Sequence, residues 1–292
     1  MDKWKVALLI PAGQRPQFIL GLAPSDLDVT WVDLDLPNED KLPLCQEADA
    51  VIAAPPWFSA DLLKDCPKVK LVQTLTSGYN RLDIQGIIDL GVPVANNSGI
   101  NAATMAEHTI GVMIALCRRL VEMHLSVKEG RWQGHIDPSN LTEINGKVIG
   151  IIGFGFAGQA VARRLRGFDV RTIYHTTSEV NGDVREELGA EPTSLELLLQ
   201  ESDFVTLHVP LTPLTRGMIG ELQLAMMKPS SFLINTSRGP VVDQGALYQV
   251  LKEGGIAGAG LDVFEMEPLV ADNPLLELKS IVLTPHMAGS TA

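Results

Sequence analysis

Three kinds of side chain that could act together on a carbonyl group follow one another in the last fifth of the chain. Arg238 stands in INTSRGPVV, two acids, Glu265 and Glu267, stand in GLDVFEMEP, and His286 stands in LTPHMAG. Arginine forks onto a carboxylate or polarises a carbonyl. Histidine titrates near neutrality and can give a proton to an oxygen that is gaining negative charge. A carboxylate on the other ring nitrogen favours the charged ring and fixes its orientation. Taken singly, each has an ordinary reading: a surface ion pair or helix cap for Arg238, a solvated loop face for the acids, a structural role for the histidine. Their joint occurrence downstream of a glycine-rich loop gives them meaning. That loop, in KVIGIIGFGFAG at 147–158, has the spacing Gly153-x-Gly155-x-x-Gly158. Gly153 makes a tight turn, Gly155 lets backbone approach a pyrophosphate, and Gly158 lets a helix pack closely on a strand. The helix N-terminus then offers N–H groups to phosphates. An arginine, a carboxylate and a histidine beside a bound nicotinamide would form a hydride-transfer site.

Such groups must be placed by a sheet. In the first hundred residues, apolar runs at 6–10, 29–32, 50–53, 71–75 and 93–95 read as strands. Segments 59–66 and 84–90 read as helices between them, with Gly91 past the end of the second. A single long helix is expected over 102–129, ending at Gly130, and its length suits a link between domains. A second series follows, with strands at 148–153, 170–174, 204–209, 232–235, 258–263 and 281–284 and helices at 157–168, 194–201 and 244–253. Thr193 and Glu196 have capping-box spacing for a helix starting at Ser194. This alternation predicts α/β architecture: two Rossmann-like or flavodoxin-like parallel-sheet domains with a cleft between them. Ligands of such sheets bind beyond the carboxyl ends of the strands. Arg238, the acids and His286 all follow strand ends.

The 292 residues suit two domains. A net charge of −12 argues against a nucleic-acid surface, which needs a basic footprint. No apolar run has the length of a membrane span. The three scattered cysteines form no disulfide framework and no metal-ligand pattern, and suit a reducing cytoplasm.

The chain resembles the D-isomer-specific 2-hydroxyacid dehydrogenases, with a likeness to glyoxylate/hydroxypyruvate reductases. The matching blocks are GFGFAG at 153–158, DFVTLHVPLTPLTRGMI at 203–219, MKPSSFLINTSRGPVVDQGAL at 227–247, AGAGLDVFEMEPL at 257–269 and VLTPHMAGST at 282–291. Further matches are TSGYNRLD at 76–83 and NAATMAEHTIG at 101–111. The resemblance implies NAD(P)-dependent hydride transfer between a nicotinamide and C2 of a D-2-hydroxy or 2-oxo acid. Arg238 falls on the arginine that anchors the substrate, Glu267 on the partner of the histidine, and His286 on the general acid/base. Ser77 and Gly78 match the loop that receives the substrate carboxylate. Phe156 and Ala157 match residues at the pyrophosphate. Val209, Thr236, Ser237, Asp262 and Gly289 match other cofactor contacts, Asp262 near the nicotinamide amide. The resemblance implies a substrate domain formed by 1–100 plus 285–292, an NAD(P)-binding Rossmann domain at 101–284, and a homodimer. Domain closure would exclude water, with hinges near 96–102 and 283–287.

Two departures stand out. An NAD-specific member carries an acid after the second strand of the nucleotide fold, to hold the ribose 2′-OH. Here that position is His175, followed by Thr176, Thr177 and Ser178, so a 2′-phosphate meets no repulsion and NADP or dual use is expected. Relatives also continue past the TPHxAG block with a helix returning to the first domain, whereas this chain stops at Ala292. That implies either truncation or closure by other contacts. Two other readings of the scaffold are a phosphite- or formate-type dehydrogenase, for which Gln in place of Glu267 is expected in the formate case, and a non-enzymatic, cofactor-sensing corepressor.

Overall fold

Val148–Ile152 is apolar at every position but Gly150, and a strand of that kind needs cover on both faces. A computed structural model of the chain describes residues 3–55, 57–132 and 136–290. It divides into two units, Met1–Ile100 and Asn101–Ala292, and each is described by itself.

The first unit contains β1 (Trp4–Ile10), α1 (Pro16–Gly21), β2 (Leu27–Asp33), α2 (Asn38–Cys45), β3 (Ala50–Ala53), α3 (Asp61–Lys64), β4 (Val72–Thr74), α4 (Ile84–Asp89) and β5 (Val94–Ala95). Its strands form one parallel sheet in the order β2-β1-β3-β4-β5, the flavodoxin-like order. Ala7, Leu9, Val32, Val51 and Val72 are buried in its main core, while Leu8 and Ile10 point to a smaller cluster on the other face. Beyond β4 the chain turns through Ser77 and Gly78. Ser77 Oγ donates to the Asn97 carbonyl at 2.8 Å, and Asn96 Nδ2 donates to the Ser77 carbonyl at 2.8 Å.

The second unit runs α5 (Ala102–Cys117), α6 (Leu120–Lys128), β6 (Val148–Ile152), α7 (Phe156–Leu165), β7 (Arg171–His175), α8 (Gly182–Leu188), β8 (Ala190–Pro192), α9 (Leu195–Glu201), β9 (Phe204–Leu207), α10 (Glu221–Ala225), β10 (Phe232–Asn235), α11 (Gln244–Lys252), β11 (Gly258–Leu261) and β12 (Ile281–Leu283). The seven strands are all parallel, in the order β12-β11-β10-β9-β6-β7-β8. The order reverses between β6 and β9, which makes that point the crevice at which a doubly wound sheet takes its ligand. One face is covered by α5 and α7 over Ile149, Ile151, Phe204 and Ile234. The other is covered by α9, α10 and α11 over Ile152, Val205, Leu207 and Leu233.

The long helix expected over 102–129 is two helices. Arg119 has φ 50°, a left-handed conformation that ends α5 before α6 begins, and its guanidinium pairs with Glu122 at 2.6 Å. The cap of α9 is Ser194 rather than Thr193: its hydroxyl accepts from the Leu197 N–H at 3.2 Å. Residues 285–290, expected with the first unit, are bonded into the second, where Met287 and Ala288 donate to Asp262. Helices α1, α2, α8 and α10 and strand β8 were not legible as elements. In α8 only Leu188 is buried, so no apolar stripe marks it; Asn181 at its start and Gly189 (φ 60°) at its end define it.

Candidate active site

The glycine loop has the geometry its spacing implies. Gly153 adopts φ 91°, and a Cβ there would stand 2.6 Å from the His208 carbonyl and 2.8 Å from Val209. A Cβ on Gly158 would overlap the Gly153 carbonyl, so α7 can lie on β6 only with glycine there. Gly155 caps α7 with nothing within 4 Å of its missing side chain. No acidic residue stands in the first turn of α7. The Phe156, Ala157 and Gly158 N–H groups have no partner within the helix, as in any first turn. The phenyl of Phe156 is 66% exposed beside this opening. A cradle open at Gly155, closed to side chains at Gly153 and Gly158, and fronted by helical N–H groups fits a dinucleotide pyrophosphate.

At the end of β7, beside β6, His175 is half-buried. Its Nδ1 lies 3.2 Å from the Thr193 carbonyl, which can only accept, so Nδ1 carries the hydrogen and Nε2 is the nitrogen left over. The next residue, Thr176, accepts from the Ser178 N–H at 3.3 Å through its hydroxyl.

On the other side of the switch point, β10 leads into Thr236, Ser237 and Arg238. Asn235 organises this exit. Its Oδ1 accepts from the Ser237 N–H at 3.0 Å and from the Ser237 hydroxyl at 2.8 Å, while its Nδ2 donates to the Arg238 carbonyl at 2.9 Å. Thr236 is buried with its hydroxyl 3.1 Å from that of Thr109 on α5. Arg238 is half-buried, and Nη1 donates to the Ser237 carbonyl at 2.6 Å. Gly239 lets this loop pass directly over the next: a Cβ there would overlap the Phe264 carbonyl group. The Arg238 loop and the acidic loop after β11 are thereby packed backbone to backbone.

Of the two acids, the structure separates the roles. Glu265 is exposed, and its Oε1 accepts from the Gln244 N–H at 3.0 Å, at the start of α11. Glu267 turns the other way. Its Oε1 accepts from the Phe264 N–H at 3.1 Å, and its Oε2 lies 2.8 Å from Nδ1 of His286. His286 holds φ 55°, an uncommon conformation for a non-glycine residue, with its N–H on the Asp262 carbonyl at 2.8 Å. The imidazole is half-exposed and the Glu267 carboxylate only 18% exposed, so the ring reaches outward from a screened anion.

Asp262 is almost fully buried. Its Oδ1 accepts from the Met287 N–H at 2.9 Å and from the Thr284 hydroxyl at 2.6 Å, and its Oδ2 accepts from the Ala288 N–H at 2.8 Å. Asp262 therefore braces the loop that carries His286. Gly289 closes that loop against α5, where a Cβ would overlap the Asn101 side chain. Nothing in the sequence singles out His208 or His108, because a lone histidine in an apolar segment carries no spacing signal. His208 follows β9 with Nε2 2.9 Å from the Thr206 hydroxyl, and burial pushes its ring down to a pKa of about 4.

The chain gathers, at one edge of one sheet, a pyrophosphate cradle, an arginine and a carboxylate-held histidine. Residues 110–288 match the family model of the D-isomer specific 2-hydroxyacid dehydrogenase NAD binding domain. The chain is 42% identical over 272 residues to the glyoxylate reductase of Korarchaeum cryptofilum, covering 91% of this chain and 81% of that protein. It is 42% identical over 252 residues to the glyoxylate reductase of Thermococcus litoralis, covering 84% and 76%. Among solved structures, an acyclic imino acid reductase in complex with NADPH and D-Arg superposes with TM-score 0.85 at 29% identity, covering 98% of this chain and 91% of that one. The chain belongs to the D-isomer-specific 2-hydroxyacid dehydrogenase family and is an NAD(P)-dependent oxidoreductase of 2-oxo and D-2-hydroxy acids.

Proposed function

We propose that this enzyme reduces glyoxylate or another short 2-oxo acid, with NADPH used at least as well as NADH. The observation that carries the reading is the 2.8 Å hydrogen bond between Glu267 and His286, on a loop packed against that of Arg238. When bound, the nicotinamide supplies the hydride that C2 of the 2-oxo acid accepts. Arg238 forks onto the substrate carboxylate and polarises the carbonyl. His286, protonated and held at Nδ1 by Glu267, gives its Nε2 proton to the oxygen gaining charge, and the product is the 2-hydroxy acid. The names of the relatives in Korarchaeum cryptofilum and Thermococcus litoralis support glyoxylate as the first substrate to try.

For the cofactor, Gly153, Gly155, Phe156, Ala157, Gly158 and Val209 would hold the pyrophosphate side, and His175 and Thr176 the adenosine ribose. Thr236, Ser237, Asp262 and Gly289 would hold the nicotinamide side. With Nδ1 committed to the Thr193 carbonyl, His175 offers Nε2 as an acceptor to a ribose hydroxyl when neutral and as a donor to a 2′-phosphate when charged. That supports dual use, as does the NADPH bound to the imino acid reductase.

A homodimer through the second unit is part of this reading. Leu120, Val121, Leu125 and Val127 of α6 are each about half exposed, beside a cavity of about 780 Å³. Among the described residues no helix is long and apolar enough to cross a membrane. The three free, buried thiols support a cytoplasmic setting.

The test is oxidation of NADPH and NADH with glyoxylate, hydroxypyruvate, pyruvate and phenylpyruvate as acceptors. Turnover with the small acids and falling kcat/KM for phenylpyruvate is expected. Bound NAD(P)H with no turnover of any acceptor would overturn the reading in favour of a cofactor-sensing protein.

A further inference from the structure

We propose that His108 is a positioning residue for the reduction, acting through Thr284 and Asp262 on the backbone that carries His286. The proposal rests on the reading of His286 as the proton donor.

The packing of α5 on β11 brings these groups together. A Cβ on Gly260 would overlap Cγ1 of Val112, so the helix lies on the strand more closely than any other residue at 260 would allow. Two residues on, just past the end of the strand and on the same side, is Asp262. One turn back along the helix from Val112 is His108. Gly260 against Val112 and Asp262 beside His108 are successive rungs of one interface. The second rung is polar: His108 Nε2 lies 3.0 Å from the Thr284 hydroxyl oxygen and 3.7 Å from Asp262 Oδ1.

The direction of these bonds is fixed by counting hydrogens. Thr284 has one hydroxyl hydrogen, and it goes to Asp262 Oδ1 at 2.6 Å. Thr284 Oγ1 must therefore accept from His108, so His108 carries its hydrogen on Nε2. Asp262, where this chain of bonds ends, then holds three successive N–H groups of the catalytic loop, one through its backbone carbonyl and two through its carboxylate. The His286 N–H meets the Asp262 carbonyl at 2.8 Å, the Met287 N–H meets Oδ1 at 2.9 Å, and the Ala288 N–H meets Oδ2 at 2.8 Å. A loop wrapped around one buried carboxylate can keep His286 at φ 55° only while that carboxylate is itself held in place. His108 and Thr284 hold it from the α5 side. The His108 side chain is 24% exposed and makes no apolar anchor, so its removal should touch the fold less than the reaction geometry. Displacement of a proton donor by a fraction of an ångström is costly to turnover and nearly neutral for binding elsewhere.

The test uses the full chain with His108→Gln, His108→Asn, Thr284→Val, the His108→Asn/Thr284→Val double variant and His286→Gln. A Gln amide reaches the place of Nε2; an Asn amide stops near that of Nδ1. Expected is a fall in kcat of about tenfold or more for His108→Asn, with KM for the nucleotide unchanged and His108→Gln within about threefold of wild type. The double variant should be no slower than Thr284→Val alone, since both break one chain of bonds. Faster hydrogen exchange at 286–288 in His108→Asn, and not in His108→Gln, is the readout independent of turnover. Folded His108→Asn protein with wild-type kcat, equal losses in Asn and Gln, or additive losses in the double variant would overturn the proposal. Retained turnover in His286→Gln would instead sink the site reading on which it rests.

Discussion

Glu267 fixes which nitrogen of His286 bears the hydrogen. One of its oxygens is committed to the Phe264 N–H at 3.1 Å, and the other faces Nδ1 of His286 at 2.8 Å. A carboxylate accepts at both oxygens, so Nδ1–H donates and Nε2 is left for the substrate oxygen.

Glu267→Gln turns that arrangement against the reaction. The Phe264 N–H requires an amide oxygen opposite it, so the amide NH₂ must face Nδ1. Nδ1 then has to accept, the imidazolium loses its partner, and the neutral ring is locked as the wrong tautomer. A loss of about a hundredfold or more in kcat is expected, at little cost in KM for NAD(P)H or in Tm. Steady-state rates with glyoxylate, alongside nucleotide titration by fluorescence, check it. A near-normal kcat would mean that the pair does not act on the reacting oxygen.

Arg238→Lys keeps the charge and loses the planar fork. The exit loop is held by Asn235 and by the Gly239 contact, so folding should survive. The expected result is a rise of about tenfold or more in KM for the 2-oxo acid together with a lower kcat. An unchanged KM for every acceptor would remove Arg238 from the substrate site.

The glycine loop, the two sheets and the order of the catalytic segments were legible because each depends on local chemistry. Gly153 and Gly158 are demanded by backbone approach, and strands such as Val148–Ile152 carry nothing but apolar side chains and one glycine. Less was legible where the deciding contact is long-range. Nothing local in LCRRLVEM announces that Arg119 leaves the helix. Asp262 reads as a cofactor contact by resemblance, and only the fold reveals that its carboxylate also holds Thr284, Met287 and Ala288. His108 acquires a partner 176 residues away, which no spacing rule detects.

Gly260→Ala tests the interface that underlies the proposed site. Val112 is β-branched and stiff in a helix, so it cannot swing away from an added methyl, and Leu116 crowds the same point at 3.1 Å. Overpacking of this kind costs about 1–3 kcal/mol. Denaturant unfolding should register that loss, with kcat falling as well because α5 carries His108. Undiminished stability would mean that α5 can lift from β11 freely.

His175→Asp should redirect cofactor choice. An aspartate at the end of β7 accepts from a ribose 2′-OH and repels a 2′-phosphate. The ratio of kcat/KM for NADPH over NADH is expected to fall about tenfold or more, chiefly through KM for NADPH. An unchanged ratio would place the 2′ position of the cofactor elsewhere.

His208 makes stability depend on pH. Its Nδ1 is screened from solvent with no hydrogen-bond partner among the described residues, and burial holds the folded ring at about 4 against an ordinary 6.5. Between those values the unfolded chain binds a proton that the folded chain refuses, so stability falls as pH drops from 6.5 toward 4 and is unaffected by this ring above 6.5. The full interval corresponds to about 3 kcal/mol. His208→Gln keeps a polar group of similar reach without the titration. Unfolding of both proteins at pH 7.5 and pH 5 separates this ring from the carboxylates, which titrate alike in each. The wild type should lose about 2 kcal/mol more than the variant between the two pH values. Equal losses would mean that His208 takes up its proton inside the folded protein, and that the space around Nδ1 admits water.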